Sequence, residues 1–373
     1  MRIALIGYEA NIKRRVGSNE YAFELLTHIE KIDKENDYVI YLPQKPLSDL
    51  PKSRKGWQYK IVGPKKLWNF LGLSLALFKD RKNIDLIFSP GHYAPPFVFG
   101  KPLAISIMDL GFLRYPKQFT RPILFKLRVW TYLSVKKANH VFAISNSTKN
   151  DIIGYYKKEK SKITVTYLGF DSLKFNGKAE KEEIERVKAK YKIKNKYILF
   201  LSTLKPNKNI EGLIKAYSKI SEKTSESLVI AGRKGWMFEE IYKLVKKLKL
   251  EKKVIFTDFV DEKDVSGLIS GASIFALPSF WEGFGIPAVQ AMASAVPVLV
   301  SDRGSLPEVV GDAGEIVNPE DLQDISEKLL KLLSDKRLRD EKIKKGLVQA
   351  QKFSWENCAK QTIRKLKEVK NAL

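Results

Sequence analysis

The sequence predicts an α/β protein built as two doubly wound, Rossmann-like domains, and three observations carry that prediction. Short apolar, β-like runs alternate with helix-periodic segments along the chain. The alternation is broken once, by a charged segment near residue 180, and then starts again. A chain of 373 residues is also too long for one ordinary core. Strands alternating with helices imply parallel sheets with helices on both faces. Two such halves imply a cleft, with ligands at the carboxyl ends of the strands.

The first half opens on a buried strand, residues 2–7. A helix over 18–31 follows, with Tyr21, Leu25 and Ile29 on one face. Strands are expected at 38–42 and 59–62, and a short apolar helix at 67–78. Buried strands at 86–89 and 103–107 precede a long helix rich in Arg and Trp at 120–137. Two further strands, 140–144 and 163–167, close the set. A charged helix at 178–191 marks the linker. The pattern resumes with a strand at 197–202, a helix at 210–220, a strand at 227–231, a helix at 238–248 and a strand at 254–257. Strands at 274–277, 296–300 and 315–317 complete a second sheet. The domains are expected at 1–176 and 177–354, followed by a terminal helix at 355–373.

Composition narrows the class. The single cysteine, Cys358, excludes an intrachain disulfide and fits a reducing cytoplasm. The N-terminus reads as a first strand rather than a signal peptide, and no apolar run reaches membrane-spanning length. Net charge is +25, of which residues 1–170 carry +16 and residues 171–373 carry +9. No acid lies between Asp49 and Asp80, where there are seven basic residues, nor between Asp109 and Asp151, where there are eight. Trp57, Tyr59, Trp68 and Phe70 interleave the first stretch; Phe112, Tyr115, Phe119, Phe125, Trp130 and Tyr132 interleave the second. Basic residues mixed with aromatics favour an anionic interface, lipid headgroup or nucleic acid. The alternative is a lysine-rich solvated surface.

The most informative segment is 278–300, PSFWEGFGIPAVQAMASAVPVLV. A strand runs into a loop holding Glu282, Gly283 and Gly285, and the loop opens a helix. Unpaired amides at a helix start attract anions, and glycines let a ligand approach the backbone. Glu282 stands where a carboxylate can bond a sugar hydroxyl. Upstream, LSTLKPNKNI at 201–210 ends a strand with Lys205 and Lys208, suited to a diphosphate; read alone, it is a Pro-Asn turn before a helix. RRVGSNEY at 14–21 puts Gly17 in a loop between strand and helix. AGRKGW at 231–236 supplies Arg233 and Lys234 after another strand, and Val260 follows the next.

The 278–300 segment resembles the donor-site motif of retaining glycosyltransferases of family 4, which have the GT-B fold. The resemblance covers nearly the whole chain, is most specific over 200–318, and implies that the C-terminal helix at 355–373 packs back on the first domain. It implies that Lys208 contacts the donor diphosphate, with Lys205, Ser202 and Thr203 in the same turn; the family often has an Arg in that turn, absent here. It places the N-terminal glycine loop at Gly17 and the base against backbone at Val260, near Arg233 and Lys234. It gives the hexose to Glu282 and to backbone at Gly283, Phe284, Gly285 and Ile286. Glu282 and Lys208 are the expected catalytic residues. The family's second motif glutamate holds ribose; this chain has Gln290, which can donate and accept but loses the charge-assisted component. The family also has His before Asp at the strand end reading ISIMDLG, where this chain has Met108 before Asp109. His92 and His140 are the nearest other histidines in sequence. No Asp-x-Asp pair occurs, which agrees with metal-independent chemistry and no cofactor beyond the nucleotide sugar itself. IMDLGFLRYP at 107–116 and AISNSTK at 143–149 look most like mannosyltransferase-type members that build surface polysaccharides.

The expectation is therefore a cytoplasmic retaining transferase, moving a hexose, with GDP-mannose favoured, to a lipid-linked or glycan acceptor on the first domain. It would be peripheral to an anionic membrane and would bind no nucleic acid. A catalytically weak nucleotide-sugar-binding protein is the alternative, because Gln290 and Met108 both fall at donor positions. A nucleic-acid-binding protein leaves the Glu282 loop unexplained. A hydrolysing epimerase of the same fold would need more acids and histidines than these.

Overall fold

A computed structural model describes residues 1–371. The chain divides into two units, Met1–Gly169 joined by the chain from Ser354 onward, and Phe170–Phe353. The first division thus falls at Gly169, earlier than the boundary at 176 expected from sequence.

The first unit is a seven-stranded parallel sheet. Its elements are β1 (Arg2–Ile6), α1 (Ser18–Ile32), β2 (Asp37–Leu42), β3 (Trp57–Ile61), α2 (Gly72–Asp80), β4 (Leu86–Ser89) and β5 (Leu103–Ile107). They are followed by α3 (Gly111–Arg114), α4 (Arg121–Lys137), β6 (His140–Ala143), α5 (Asn146–Tyr156) and β7 (Ile163–Val165). The strand order is β3-β2-β1-β4-β5-β6-β7. Growth outward in both directions from β1 is the doubly wound topology, and its crossovers demand helices on both faces. β4, β5 and β6 are buried at every residue, as strands covered on both faces must be. α1 buries Tyr21, Leu25 and Ile29 at the helical spacing read from sequence.

The second unit repeats the plan with six parallel strands. It comprises α6 (Lys181–Lys190), β8 (Tyr197–Leu201), α7 (Ile210–Ile220), β9 (Ser227–Ala231), α8 (Glu239–Lys247), β10 (Val254–Asp258) and α9 (Glu262–Ser270). Then come β11 (Ile274–Leu277), α10 (Ile286–Ala293), β12 (Val298–Ser301), α11 (Leu306–Val310), β13 (Gly314–Val317), α12 (Leu322–Ser334) and α13 (Lys336–Ala350). The order is β10-β9-β8-β11-β12-β13. β8 and β11 lie side by side at the point where the order reverses, and ligands of open α/β sheets bind at that point. The chain ends in α14 (Trp355–Asn371), which belongs to the first unit and packs on α1; the last two residues of the expected helix lie outside the described residues.

Several elements differ from expectation: β3 begins two residues earlier, at Trp57, β7 ends two residues sooner, at Val165, and α6 begins only at Lys181. The helix read at 67–78 begins only at Gly72, because Leu67 takes a left-handed conformation and residues 67–71 form a turn. The strand expected from 296 begins at Val298. Among the described residues, no helix is long and apolar enough to cross a membrane.

Candidate active site

Four loops of the second unit leave the carboxyl ends of neighbouring strands β10, β9, β8 and β11. They carry the site residues expected in that half of the chain except Ile286 and Gln290, which lie in the helix α10 that follows the last loop. After β8 come Ser202, Thr203, Lys205 and Lys208; after β9, Arg233 and Lys234; after β10, Val260; after β11, Glu282 through Gly285.

The turn after β8 is shaped by its sequence. Pro206 starts a single 3₁₀ turn, Pro206–Lys208, and Asn209 ends it in a left-handed conformation with φ of 53°, which Asn tolerates better than most residues. The Asn209 amide donates to the carbonyls of Pro278 at 3.0 Å and Pro319 at 2.7 Å. The Phe280 amide donates to the Asn207 carbonyl at 2.9 Å. The lysine turn and the Glu282 loop are thereby fastened together.

Lys208 and Glu282 meet directly. The Lys208 Nζ lies 2.7 Å from each carboxylate oxygen of Glu282. Ser279 Oγ donates to Glu282 Oε1 at 2.8 Å. The two charged side chains are only 15% and 11% exposed, so solvent screens the pair weakly. The Glu282 carbonyl is fixed as well, accepting from both the amide and the hydroxyl of Ser305 at 3.1 Å. That approach requires Gly304, which has φ of +63°; a Cβ there would lie 2.4 Å from the Glu282 carbonyl oxygen.

Gly285, with φ of 94°, turns the chain into α10, which has no side-chain cap. Pro287 has no N–H and the Ala288 amide donates to the Gly285 carbonyl at 2.9 Å, so the Ile286 amide is the helix-start donor left for an anion or a sugar oxygen. Phe284 is buried edge-on to Phe353, with ring centroids 5.3 Å apart. Val260 is also buried. Gln290 is half-buried in the second turn of α10.

The turn after β9 is joined to the turn after β8. The Leu204 amide donates to the Arg233 carbonyl, and the Gly235 amide to the Leu204 carbonyl. Lys205 Nζ sits 4.2 Å from the centre of the Trp236 ring. Lys234 is held near Asp258, at 3.6 Å, between the rings of Phe238 and Tyr242. Lys205, Lys208, Arg233 and Lys234 thus gather at one end of the sheet, a field suited to a diphosphate.

Gly17, Met108 and Asp109 belong to the first unit. Gly17, with φ of 58°, starts α1. Met108 and Asp109 follow β5; the Met108 carbonyl accepts from Thr148 Oγ1 at 3.0 Å, and Asp109 Oδ1 accepts from the Gly111 amide at 2.8 Å. His92, beyond β4, packs edge-on to Tyr93 and Phe112, and its buried Nε2 has no hydrogen-bond partner. Burial pushes its pKa down, with Asp109 opposing. Glu9, beyond β1, accepts from Asn19, and its carboxyl is raised by burial. Three strand ends of this unit therefore also carry polar side chains.

Sequence reasoning did not select Ser279, Asn209 and Ser305, which build the Glu282 loop. Ser279 stood inside the segment singled out, three residues before Glu282. Asn209 and Ser305 act across long separations that no local pattern reveals. Among the described residues, no group of three or more His, Cys, Asp or Glu side chains is placed to hold a metal ion.

Comparison with known proteins agrees with this fold. The family model described as glycosyl transferases group 1 matches residues 180–348. O-antigen chain mannosyltransferase B of Escherichia coli is 35% identical over 233 residues, which cover 62% of this chain and 61% of that protein. O-antigen chain mannosyltransferase RfbU of Salmonella typhimurium is 31% identical over 217 residues, covering 58% and 57%. The match therefore spans less than two thirds of either relative. Among solved structures, sucrose-phosphate synthase from Thermosynechococcus elongatus gives a TM-score of 0.79 at 19% identity, covering 100% of both chains. Anabaena HepE, in complex with UDP and glucose, gives 0.77 at 20% identity, covering 98% of this chain and 99% of that one. The fold is that of the GT-B glycosyltransferases.

Proposed function

We propose, from a chain whose residues 180–348 form a domain of the glycosyl transferases group 1 family, that this protein is a retaining hexosyltransferase of surface-polysaccharide synthesis. Its donor is a nucleotide diphosphate sugar, with mannose from GDP-mannose preferred, and its acceptor is a lipid-linked or other glycan. The observation that carries this reading is the Lys208–Glu282 pair, 2.7 Å apart at the ends of β8 and β11 and beside the start of α10. The mannosyltransferase names of the relatives support the choice of sugar.

In this reading the lysines and the Ile286 amide at the start of α10 receive the charge that develops on the leaving diphosphate, a preorganised electrostatic role. Glu282 accepts a hydrogen bond from a hexose hydroxyl. The acceptor hydroxyl attacks the anomeric carbon on the face that the diphosphate leaves. Its proton passes to a departing phosphate oxygen, so the anomeric configuration is retained without a side-chain base. Lysine and amide charge take the place of a metal ion. The enzyme works at the cytoplasmic face of a membrane, where a lipid-linked acceptor is presented.

The test is transfer from GDP-mannose, UDP-glucose and ADP-glucose to a lipid-linked glycan, with the product anomer read by NMR. Mannose transfer with retention, undiminished by EDTA, is the expected result. Inversion, or activity lost in EDTA and restored by manganese, refutes the mechanism. A second reading, a nucleotide-sugar-binding protein with weak catalysis, is favoured by Met108 and Gln290 at donor positions. Donor binding without transfer or hydrolysis supports it instead.

A further inference from the structure

The helix α2 is apolar on both sides. Leu73, Ala76 and Leu77 point into the core of the first unit. On the other side Leu75 and Phe78 are 58% and 45% exposed, and Leu71, just before the helix, is 47% exposed. A soluble helix ordinarily turns a polar face to water, and one that is apolar all round is ordinarily covered. The turn before it adds Leu67 and Phe70, also exposed. This apolar surface extends beyond its own segment. The Phe78 ring meets Phe99 with centroids 5.1 Å apart, and Phe70 meets Trp130 of α4 at 5.5 Å. The second contact brings together the two acid-free stretches of the sequence.

The rim is cationic. Lys65, Lys66 and Lys79 are exposed, and the Arg81 guanidinium lies 3.8 Å over the Phe78 ring. The nearest acid, Asp80, is already engaged by Lys60 and by the Tyr41 hydroxyl, each at 2.6 Å. We infer that the exposed face of α2, with the turn before it, docks this protein on an anionic lipid bilayer. The apolar side chains enter the headgroup boundary and the basic rim contacts acidic headgroups. At nine residues the helix is about 14 Å long, enough to lie in the interface and too short to cross the hydrocarbon core. A second copy of the chain fits this face poorly, because it brings the same basic rim and a net charge of +25. The inference rests on the membrane-peripheral reading above and gives it a location.

The test is sedimentation of the full chain with vesicles of phosphatidylcholine alone or with phosphatidylglycerol added. Binding is expected only with phosphatidylglycerol, and it should weaken as salt rises, because exposed charges are screened over about 10 Å at 0.1 M salt. Leu75→Glu with Phe78→Glu should weaken binding by about ten-fold or more, a scale set by losing apolar insertion. Lys65→Glu, Lys66→Glu and Lys79→Glu together, all at exposed positions, should do the same and keep the test decisive if the first variant misfolds. Overturning results are equal binding to both vesicles, wild-type binding by either variant, no binding at all, or a lipid-free dimer that the Leu75/Phe78 variant dissolves. Calorimetry with GDP on the same samples separates the two ideas. GDP bound without vesicle binding defeats the docking alone, and vesicle binding without any nucleotide affinity defeats the transferase reading alone.

Discussion

The mutual hold of Lys208 and Glu282 gives their substitutions different expected signatures. Lys208 gives both its short contacts to Glu282, so a diphosphate must draw the ammonium partly away from the carboxylate. Lys208→Ala should weaken nucleoside-diphosphate binding about ten-fold or more, the scale of a lost charged hydrogen bond of roughly 1.5–3 kcal/mol. Glu282→Gln removes the competing charge, so diphosphate affinity should hold or rise while sugar transfer is lost. Calorimetry beside a transfer assay checks this; parallel loss of diphosphate affinity in both variants would show that Glu282 merely props the lysine. Gln290→Glu should be tolerated or tighten donor binding. A different residue governs acid stability. His140 is buried in β6 with Nε2 3.0 Å from Thr164 Oγ1, and burial, with Lys365 adding to it, lowers its pKa to about 4 from 6.5. Between those values the unfolded chain binds the proton and the folded chain does not, so stability rises with pH. This contribution is complete above about 6.5 and is lost as pH falls toward about 4, amounting to about 3 kcal/mol at about 1.4 kcal/mol per unit. Urea unfolding across this range should fall less steeply for His140→Gln; an identical slope would remove His140 from the account.

At the scale of elements, the Glu282 loop depends on one crossing that only glycine permits. Gly304→Ala puts a methyl group 2.4 Å from a backbone oxygen at a positive φ, and strain and clash together should cost about 2 kcal/mol or more. Because the displaced atom is the Glu282 carbonyl, transfer should fall with stability. An unshifted melting temperature with full activity would show that the loop relaxes freely. The same feature explains what could be read in advance. Glu282, Gly285 and Lys208 were legible because each lies in an uninterrupted strand–loop–helix pattern. Asn209 and Ser305 were not, since Asn209 reaches carbonyls 69 and 110 residues away and Ser305 one 23 residues away. Both sheets were legible from buried β-rich runs. The helix at 67–78 was half right: its apolar spacing is real, but a Cβ on Gly72 would lie 2.5 Å from the Gly63 carbonyl oxygen. That close packing at Gly72 and the left-handed Leu67 before it accompany the late start of α2, and helix periodicity contains no record of either. No helix is read from the sequence at α3, α5, α9, α11, α12 or α13, although Ser145, Asp321 and Asp335 cap three of them in the ordinary way.

At the scale of the whole chain, the last helix completes the first unit rather than the one it follows. Trp355, Cys358, Leu366 and Val369 are buried on the inner side of α14, and the Trp355 ring lies 6.2 Å from Tyr21 of α1. Burying side chains of this size stabilises by about 1.5–3 kcal/mol each. Their sum is comparable with the roughly 5–15 kcal/mol that holds a domain folded. Removing the chain from Trp355 onward should therefore unfold the first unit, while the second unit, Phe170–Phe353, which has its own sheet and core, stays folded and still binds a nucleoside diphosphate. Hydrogen exchange read peptide by peptide checks this, and equal protection in both units after truncation would refute it. The chain's one cysteine gives a gentler measure in the intact protein. Cys358 is buried in the helix and its thiol is pushed up to about 12 by that burial, so it should resist maleimide at neutral pH. Trp355→Ala removes the largest anchor beside it and should speed labelling at least about ten-fold, since each 1.4 kcal/mol of lost docking raises the open population by that factor. Labelling that stays slow in Trp355→Ala would mean that α14 is held elsewhere along its length, by Leu366 and Val369, and that truncation must be repeated from a later residue to find the anchor.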